Sequence, residues 1–478
     1  MNVRLVFYIL GLLLGILGLF QLLPALTAVC YGESPLPYLL SATAAFGTGL
    51  VLVRLCRMRD WRVRPRDAFL IVGGGWVLCS IFGAFPYVFT QTLGPVDAFF
   101  ESVAGFTTTG STVLAGLDTR PRSLLLWRSF TQWIGGMGII LFTIAVLPLL
   151  GIGGMQLFKA EVPGPVAEKV RPRLADTARH LWLIYVGLTA AECVLLLSVG
   201  VEPFEALCHS LTTLPTGGFS TRDLSVGGFG SPSVEWIITF FMLISGINFF
   251  HHYRVLTWQL SGVRHDGELR LFLGVTFAAV AIVSVSLMRA DHTYADSVRL
   301  AAFQVVSIIT TTGYVTDNFE VWSSLTHFIF IVLMILGGMS GSTGGGIKSL
   351  RVLLAVRALR GSFGKLLHPR AVFVVRYSGK VVNPDILAGI WAFFSAYFLL
   401  AAAAGAVLTM AGYDLVTAFS AALTALGNVG PGLGEVGAYD NFAHMPAFAK
   451  LVLCFCMLAG RLEVFTLLVL MTPAFWRR

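Results

Sequence analysis

The sequence predicts an all-α polytopic membrane protein. Four tandem units of span, short pore segment and span are expected in a pseudo-fourfold arrangement, preceded by two extra transmembrane helices. Three observations carry that reading. Hydrophobic residues make up 56% of the 478 and charged residues 12%, about half the charged share of a soluble domain. Apolar runs long enough to cross a bilayer recur along the chain. A threonine-rich or glycine-rich turn recurs four times, each at the end of a shorter apolar stretch.

The first apolar run, Leu5 to Val29, follows Arg4 and resembles a signal sequence. It is too long for a usual signal core and lacks a small-residue cleavage pattern before Tyr31, so it reads as a retained span. A second span follows at Pro37 to Leu55. The basic loop from Arg54 to Arg66 then belongs in the cytoplasm, which puts the N-terminus there as well. Residues 1–66 thus hold the two leading helices.

Units follow at 67–158, 159–264, 265–380 and 381–478. Their outer and inner spans are expected at Ala68–Thr92 and Leu124–Leu150, then at Leu181–Val199 and Val234–Leu260. The third pair is Leu271–Met288 and Leu325–Met339, and the fourth is Ile386–Ala411 and Pro446–Met471. Only the third inner span reads as interrupted. Predicted cytoplasmic loops carry Lys159, Lys169, Arg171, Arg173 and Arg179, then Arg264 and Arg270, then Lys348 through Lys380, and the chain closes on Arg477-Arg478. The net charge of +8 therefore reflects membrane orientation, and no nucleic-acid partner is expected. Predicted outer loops carry Glu33, Asp97, Glu101, Asp118, Asp223, Asp291, Asp296, Asp317, Glu320, Asp414, Glu435 and Asp440. Acidic groups around a mouth concentrate cations, or they are simply solvated loop charges; both readings stand. The seven cysteines are odd in number and lack a Cys-x-x-Cys pair, so they suggest neither a disulfide framework nor a metal site.

The four turns are Thr107–Thr112, Leu214–Thr221, Thr310–Thr316 and Gly427–Gly432. Read backwards from a glycine, they align without gaps over fourteen residues, as Asp97–Gly110, Phe204–Gly217, Leu300–Gly313 and Thr417–Gly430. The apolar stretches before them are too short to span a bilayer. Extended backbone at membrane depth must be buried in protein or line a water-filled path. A lone Thr-Thr-Gly is usually a helix stop. Four of them, each between two long apolar segments, instead predict a ring of inward backbone carbonyls, the arrangement that strips and replaces the hydration shell of K⁺. The candidate ion-binding residues are Thr108, Thr109, Gly110, Thr216, Gly217, Thr311, Thr312, Gly313, Asn428, Val429 and Gly430.

Between Gly337 and Gly346 six of ten residues are glycine, too many for a stable helix at roughly 1 kcal/mol each. Residues 337–347 are expected to form a loop inside the membrane. It is either a flexible gate or a close-packing patch of small residues. The candidate gate residues are Gly337, Gly338, Gly341, Ser342, Thr343, Gly344, Gly345, Gly346, Lys348 and Arg461. The run Gly341 to Ser349 resembles a phosphate loop, but Ile347 spoils the spacing and no strand precedes it. Arg461 lies about mid-way along the expected last span, where a charge is costly and faces a cavity or a partner. His251, His252 and Glu463 receive no assignment.

Together, the four turns, Gly337–Lys348, Gly430-Pro431-Gly432-Leu433-Gly434-Glu435 and Gly460-Arg461-Leu462-Glu463 resemble the Trk/Ktr/HKT superfamily of K⁺ transporters, most of all its bacterial Trk branch. The resemblance implies preference for K⁺ over Na⁺, a gate at 337–347 and an Arg461 that slows cations below the filter. It also implies a homodimer, a cytosolic ring of nucleotide-binding regulatory subunits and a bacterial inner-membrane location with both termini cytoplasmic. No catalysis and no cofactor are expected in this chain, with K⁺ as the transported ion. The alternative is a Na⁺- or H⁺-coupled carrier of a small organic solute. Such carriers are often built from two inverted repeats, whereas these repeats run in one orientation. A non-transporting scaffold would leave the turns and Arg461 without purpose.

Overall fold

The computed structural model describes residues 1–57, 64–145, 170–290 and 292–477. Arg59, Arg62, residues 146–150 of the first expected inner span, Lys159, Lys169, Asp291 and Arg478 lie outside the described residues.

The two leading spans are Val3–Cys30, with a helix boundary at Gln21, and Leu36–Leu55. They cross closely because small residues face each other. A side chain at Gly11 or Gly18 would strike the backbone of Gly49 or Ala42, the usual basis of helix pairing in lipid.

Each unit then supplies an outer helix, a pore helix and an inner helix. The outer helices are Pro65–Phe89, Val170–Ser198, Gly267–Met288 and Pro384–Met410. The pore helices are Pro95–Phe106, Pro203–Thr213, Tyr294–Ile309 and Leu415–Gly427. Two open on a proline at the first turn, where the missing N–H costs nothing. The other two open on side-chain caps, Thr293 to the Asp296 N–H and Asp414 to the Val416 and Thr417 N–H groups. All four end in buried residues at the centre of the molecule, so the negative ends of their dipoles converge there.

The inner helices differ most from expectation. The first, Arg122–Ala145, is continuous as far as it is described. The third is Ser324–Leu336, ending at Gly337 with φ +65°. Residues 337–348 then form a loop, one residue longer than the 337–347 expected, and helix Ser349–Leu367 follows. The second and fourth inner spans were expected to be continuous, and both are broken. Pro232–Ser245 and Phe249–Leu256 meet at 99°, and Ala447–Arg461 and Phe465–Met471 meet at 120°. At the first break Asn248 caps a new helix through the Phe250 N–H. At the second, Glu463 and Val464 take φ +63° and +47°, which ends any right-handed helix. Three of the four inner helices therefore break at one level, below the turns.

Among the described residues, six helices are long and apolar enough to cross a membrane, or up to eight if each bent pair counts as one span. The only strands among the described residues pair Arg376-Tyr377 with Lys380-Val381 in a short antiparallel hairpin.

Candidate ion pathway

Each turn carries the same backbone signature. Thr108, Thr216, Thr311 and Asn428 all have positive φ, at +52°, +56°, +61° and +53°. A β-branched residue in that region is strained, and strain repeated in three turns marks a constrained site. One residue later an N–H reaches back five positions: Thr109 to Ala104, Gly217 to Thr212, Thr312 to Ser307 and Val429 to Thr424, at 2.8–3.0 Å. The next residue is glycine in all four, with φ +81° at Gly110, +77° at Gly218, +79° at Gly313 and +113° at Gly430.

This corrects the gapless alignment of the second copy by one residue. Gly217 stands where Thr109 does, and the partner of Gly110 is Gly218. The second copy has two adjacent glycines, and the gapless match falls on the first; in the corrected register Pro215 occupies the position of Thr107 and Thr310. Those threonines continue the helix through N–H groups bonded to Val103 and Val306. Proline has no such donor, so pore helix 2 stops at Thr213.

The turns close into a ring. A Cβ on Gly110 would collide with the Gly217 carbonyl oxygen. The same addition at Gly218 would strike that of Thr312, at Gly313 that of Val429, and at Gly430 that of Thr109. Each turn thus abuts the next, and the fourth abuts the first. On one side of the ring lies a vestibule of ≈ 250 Å³ that reaches Gly110, Gly218, Gly313 and Gly430. Asp223 and Asp440 line it. Many of the other outer acids are engaged elsewhere: Asp97 with Lys450 at 2.6 Å, Asp296 with Arg299 at 2.7 Å, and Glu320 with the Gly434 N–H at 2.8 Å.

Loop 337–348 fills the opposite side of the ring. The Thr343 hydroxyl donates to Leu214 O at 2.9 Å and lies 3.2 Å from Ser245 O. The Gly345 N–H donates to the Thr311 hydroxyl at 2.6 Å. A side chain on Gly345 would strike Gly427 O, and one on Gly344 would crowd Thr310 O. The loop therefore lies against the ends of pore helices 2, 3 and 4. Its edges are pinned by the Met339 N–H to Gly246 O at 2.9 Å and the Phe249 N–H to Gly341 O at 3.0 Å, so the break in the second inner span receives the loop. Lys348 donates to Gly344 O within the loop. Ser342 bonds back to Met339 O. Gly337, Gly341 and Gly346 have positive φ, while Gly338 packs against Gly246 O.

Arg461 completes this lower layer on the side of turn 1. It is 3% exposed. Nη1 donates to Thr343 O at 2.6 Å and Nη2 to Gly135 O at 3.3 Å. The small neighbours are needed for close approach: a Cβ on Gly135 would strike Phe106 O, and one on Gly460 would strike Leu426 O. Glu463 pairs with Arg351, whose guanidinium sits 4.0 Å over the Phe393 ring. His251 pairs with Asp266 at 2.7 Å, and His252 lies 3.0 Å from Ile244 O.

Three supporting contacts were not anticipated. Gln132 donates to Gly217 O at 2.7 Å and accepts from the Phe219 N–H. Asn428 donates to the Thr109 hydroxyl and to Met457 O, both at 2.9 Å. Arg128 and Glu101 form an ion pair at 2.8 Å beside turns 1 and 2. Their partners lie far apart in sequence, and no local pattern announces them.

Four turns closed into a ring, with a vestibule on one side and loop 337–348 on the other, mark a polytopic membrane protein with one central candidate pathway. The comparisons give the family. The model of the TrkH cation transport protein family matches residues 40–478, and the chain belongs to that family. It is 42% identical to the Trk system potassium uptake protein TrkH of Salmonella typhimurium, with 100% of each chain covered. It is 39% identical to the Trk system potassium uptake protein TrkH of Halomonas elongata, again with 100% of both covered. The crystal structure of the potassium transporter TrkH from Vibrio parahaemolyticus superposes with a TM-score of 0.91 at 37% identity, covering 100% of each chain.

Proposed function

We propose that this chain takes up K⁺ as the membrane subunit of a Trk-type system. The observation that carries this reading is the ring of four strained turns, each glycine packed on the next turn's carbonyl. The relatives named as potassium uptake proteins support the ion. Ions enter by the vestibule and pass Gly110, Gly218, Gly313 and Gly430, with Thr109, Gly217, Thr312 and Val429 supplying carbonyls. Thr108, Thr216, Thr311 and Asn428 lie one residue deeper. Loop 337–348 and Arg461 then form the gate. No covalent step is involved. The chain works as a homodimer in a bacterial inner membrane, both termini in the cytoplasm, with a nucleotide-binding regulatory ring docking on its basic cytoplasmic loops.

The test is cation influx into proteoliposomes holding the purified protein, with and without the regulatory partner. K⁺ and Rb⁺ influx well above Na⁺ supports the reading. Absence of cation flux under every gradient would replace it with the solute carrier. The gate has its own test. Thr343→Val keeps the shape and removes the hydroxyl's contact to Leu214, worth about 1 kcal/mol, so partner-independent Rb⁺ influx is expected to rise roughly fivefold. Unchanged influx would mean that this contact does not hold the loop shut.

A further inference from the structure

A buried ion pair stands beside the ring and has been given no role above. Arg128 lies on inner helix 1 and Glu101 on pore helix 1, with side chains 2% and 0% exposed. Each of the three guanidinium nitrogens has a partner. Nε donates to Glu101 Oε1 at 2.8 Å, Nη1 to Ser220 O at 2.9 Å and Nη2 to the Thr112 hydroxyl at 3.2 Å. Its carbon sits 4.1 Å from the centre of the Phe219 ring. The second oxygen of Glu101 accepts the Val113 N–H at 2.9 Å.

These partners are not scattered. Thr112 and Val113 follow Gly110 directly as the chain leaves turn 1. Phe219 and Ser220 follow Gly218 as it leaves turn 2. One planar group therefore ties the exit of turn 1 to the exit of turn 2. The other junctions are made differently. Turns 2 and 3 meet through the Gly227 N–H to Val315 O at 3.0 Å. Turns 3 and 4 meet through Glu320 and the Gly434 N–H. Turns 4 and 1 meet through the Ser111 hydroxyl to Gly430 O at 3.0 Å. Among the described residues, the first junction alone carries a fully buried ion pair.

Such a pair is costly to bury and is a poor device for stability alone. What it provides is geometry, because a guanidinium fork fixes several acceptors at set angles. It also lines the vestibule, where its charge would oppose entering cations if Glu101 did not balance it.

We propose that Arg128 and Glu101 are specificity-determining positioning residues. They set the separation of turns 1 and 2, and with it the carbonyl spacing that discriminates K⁺ from Na⁺. This rests on the filter reading of the four turns.

The test compares wild type, Arg128→Lys, Arg128→Met and Glu101→Gln in proteoliposomes, reading K⁺, Rb⁺ and Na⁺ influx. The flux ratio is the readout, since it does not depend on how much protein folds. Arg128→Lys keeps the charge but cannot hold Glu101, Ser220 and Thr112 together. It is expected to retain most K⁺ influx while the K⁺/Na⁺ ratio falls about tenfold. Glu101→Gln leaves the cation unbalanced and is expected to lower K⁺ influx, most strongly at low ionic strength. A wild-type ratio in both Arg128→Lys and Arg128→Met would overturn the proposal while leaving the filter intact. A wild type that does not discriminate K⁺ from Na⁺ would instead remove the filter reading and this proposal with it.

Discussion

Gly218→Ala is expected to lower K⁺ influx by roughly a hundredfold or more, about 3 kcal/mol, and Gly217→Ala less, by roughly thirtyfold at most. The two glycines are neighbours, yet their surroundings differ. Gly218 has φ +77°, and a Cβ there would press on the Thr312 carbonyl oxygen and the Gly313 backbone. Left-handed backbone costs a side chain about 1–2 kcal/mol, and overlap with a fixed neighbour adds a similar amount, so about 3 kcal/mol in all. That sum corresponds to roughly two decades of flux if it acts on the conducting arrangement. Gly217 is not in that backbone region. The nearest atoms to a Cβ there belong to the Gln132 side chain, which can turn away at the loss of its two hydrogen bonds, to Gly217 O and from the Phe219 N–H, about 2 kcal/mol in all. Rb⁺ influx at matched protein content decides between them. Equal loss in both variants would contradict the register in which Gly218, not Gly217, matches Gly110.

That pair of glycines also marks where sequence reading reaches its limit. The outer and pore helices were legible because apolar runs of two distinct lengths alternate, and length separates a span from a re-entrant segment. The loop at 337–348 was legible from its glycine density. The slip at turn 2 was not, because aligning on the first glycine gives a gapless match, and Pro215 changes the hydrogen bonding rather than the spacing. The breaks after Ser245 and Arg461 were hidden for another reason. The first break holds one glycine, Gly246, the second none, and neither holds a proline, so local composition does not demand an interruption. Tertiary contacts impose the break: Gly341 O takes the Phe249 N–H, and Arg351 takes Glu463. The Arg128–Glu101 pair likewise joins residues 27 apart in sequence and reaches a carbonyl 92 residues away.

Arg461→Met is expected to raise both K⁺ and Na⁺ influx about tenfold and to leave their ratio unchanged. Among the described residues no carboxylate pairs with Arg461, and its nearest charged neighbour in sequence, Glu463, is taken by Arg351. Its Nε has no hydrogen-bond partner. The positive charge is therefore left to act on whatever passes. A unit charge ~8 Å from an ion at an effective dielectric of about 20 costs about 2 kcal/mol, more than a decade in rate. The ratio should hold because the charge acts equally on both cations and lies away from the carbonyl ring. Arg461→Lys, with a charge but no fork, is expected to stay near wild type in influx. If Arg461→Met instead lowers influx and the thermal midpoint together, the residue is a brace between inner helices 1 and 4. The two roles can be separated further through Thr343, whose carbonyl accepts from Arg461 while its hydroxyl bonds Leu214. Electrostatic repulsion and loop closure acting independently would make Arg461→Met and Thr343→Val additive in log influx. A single closed state held by both contacts would make the double variant no faster than the faster single one.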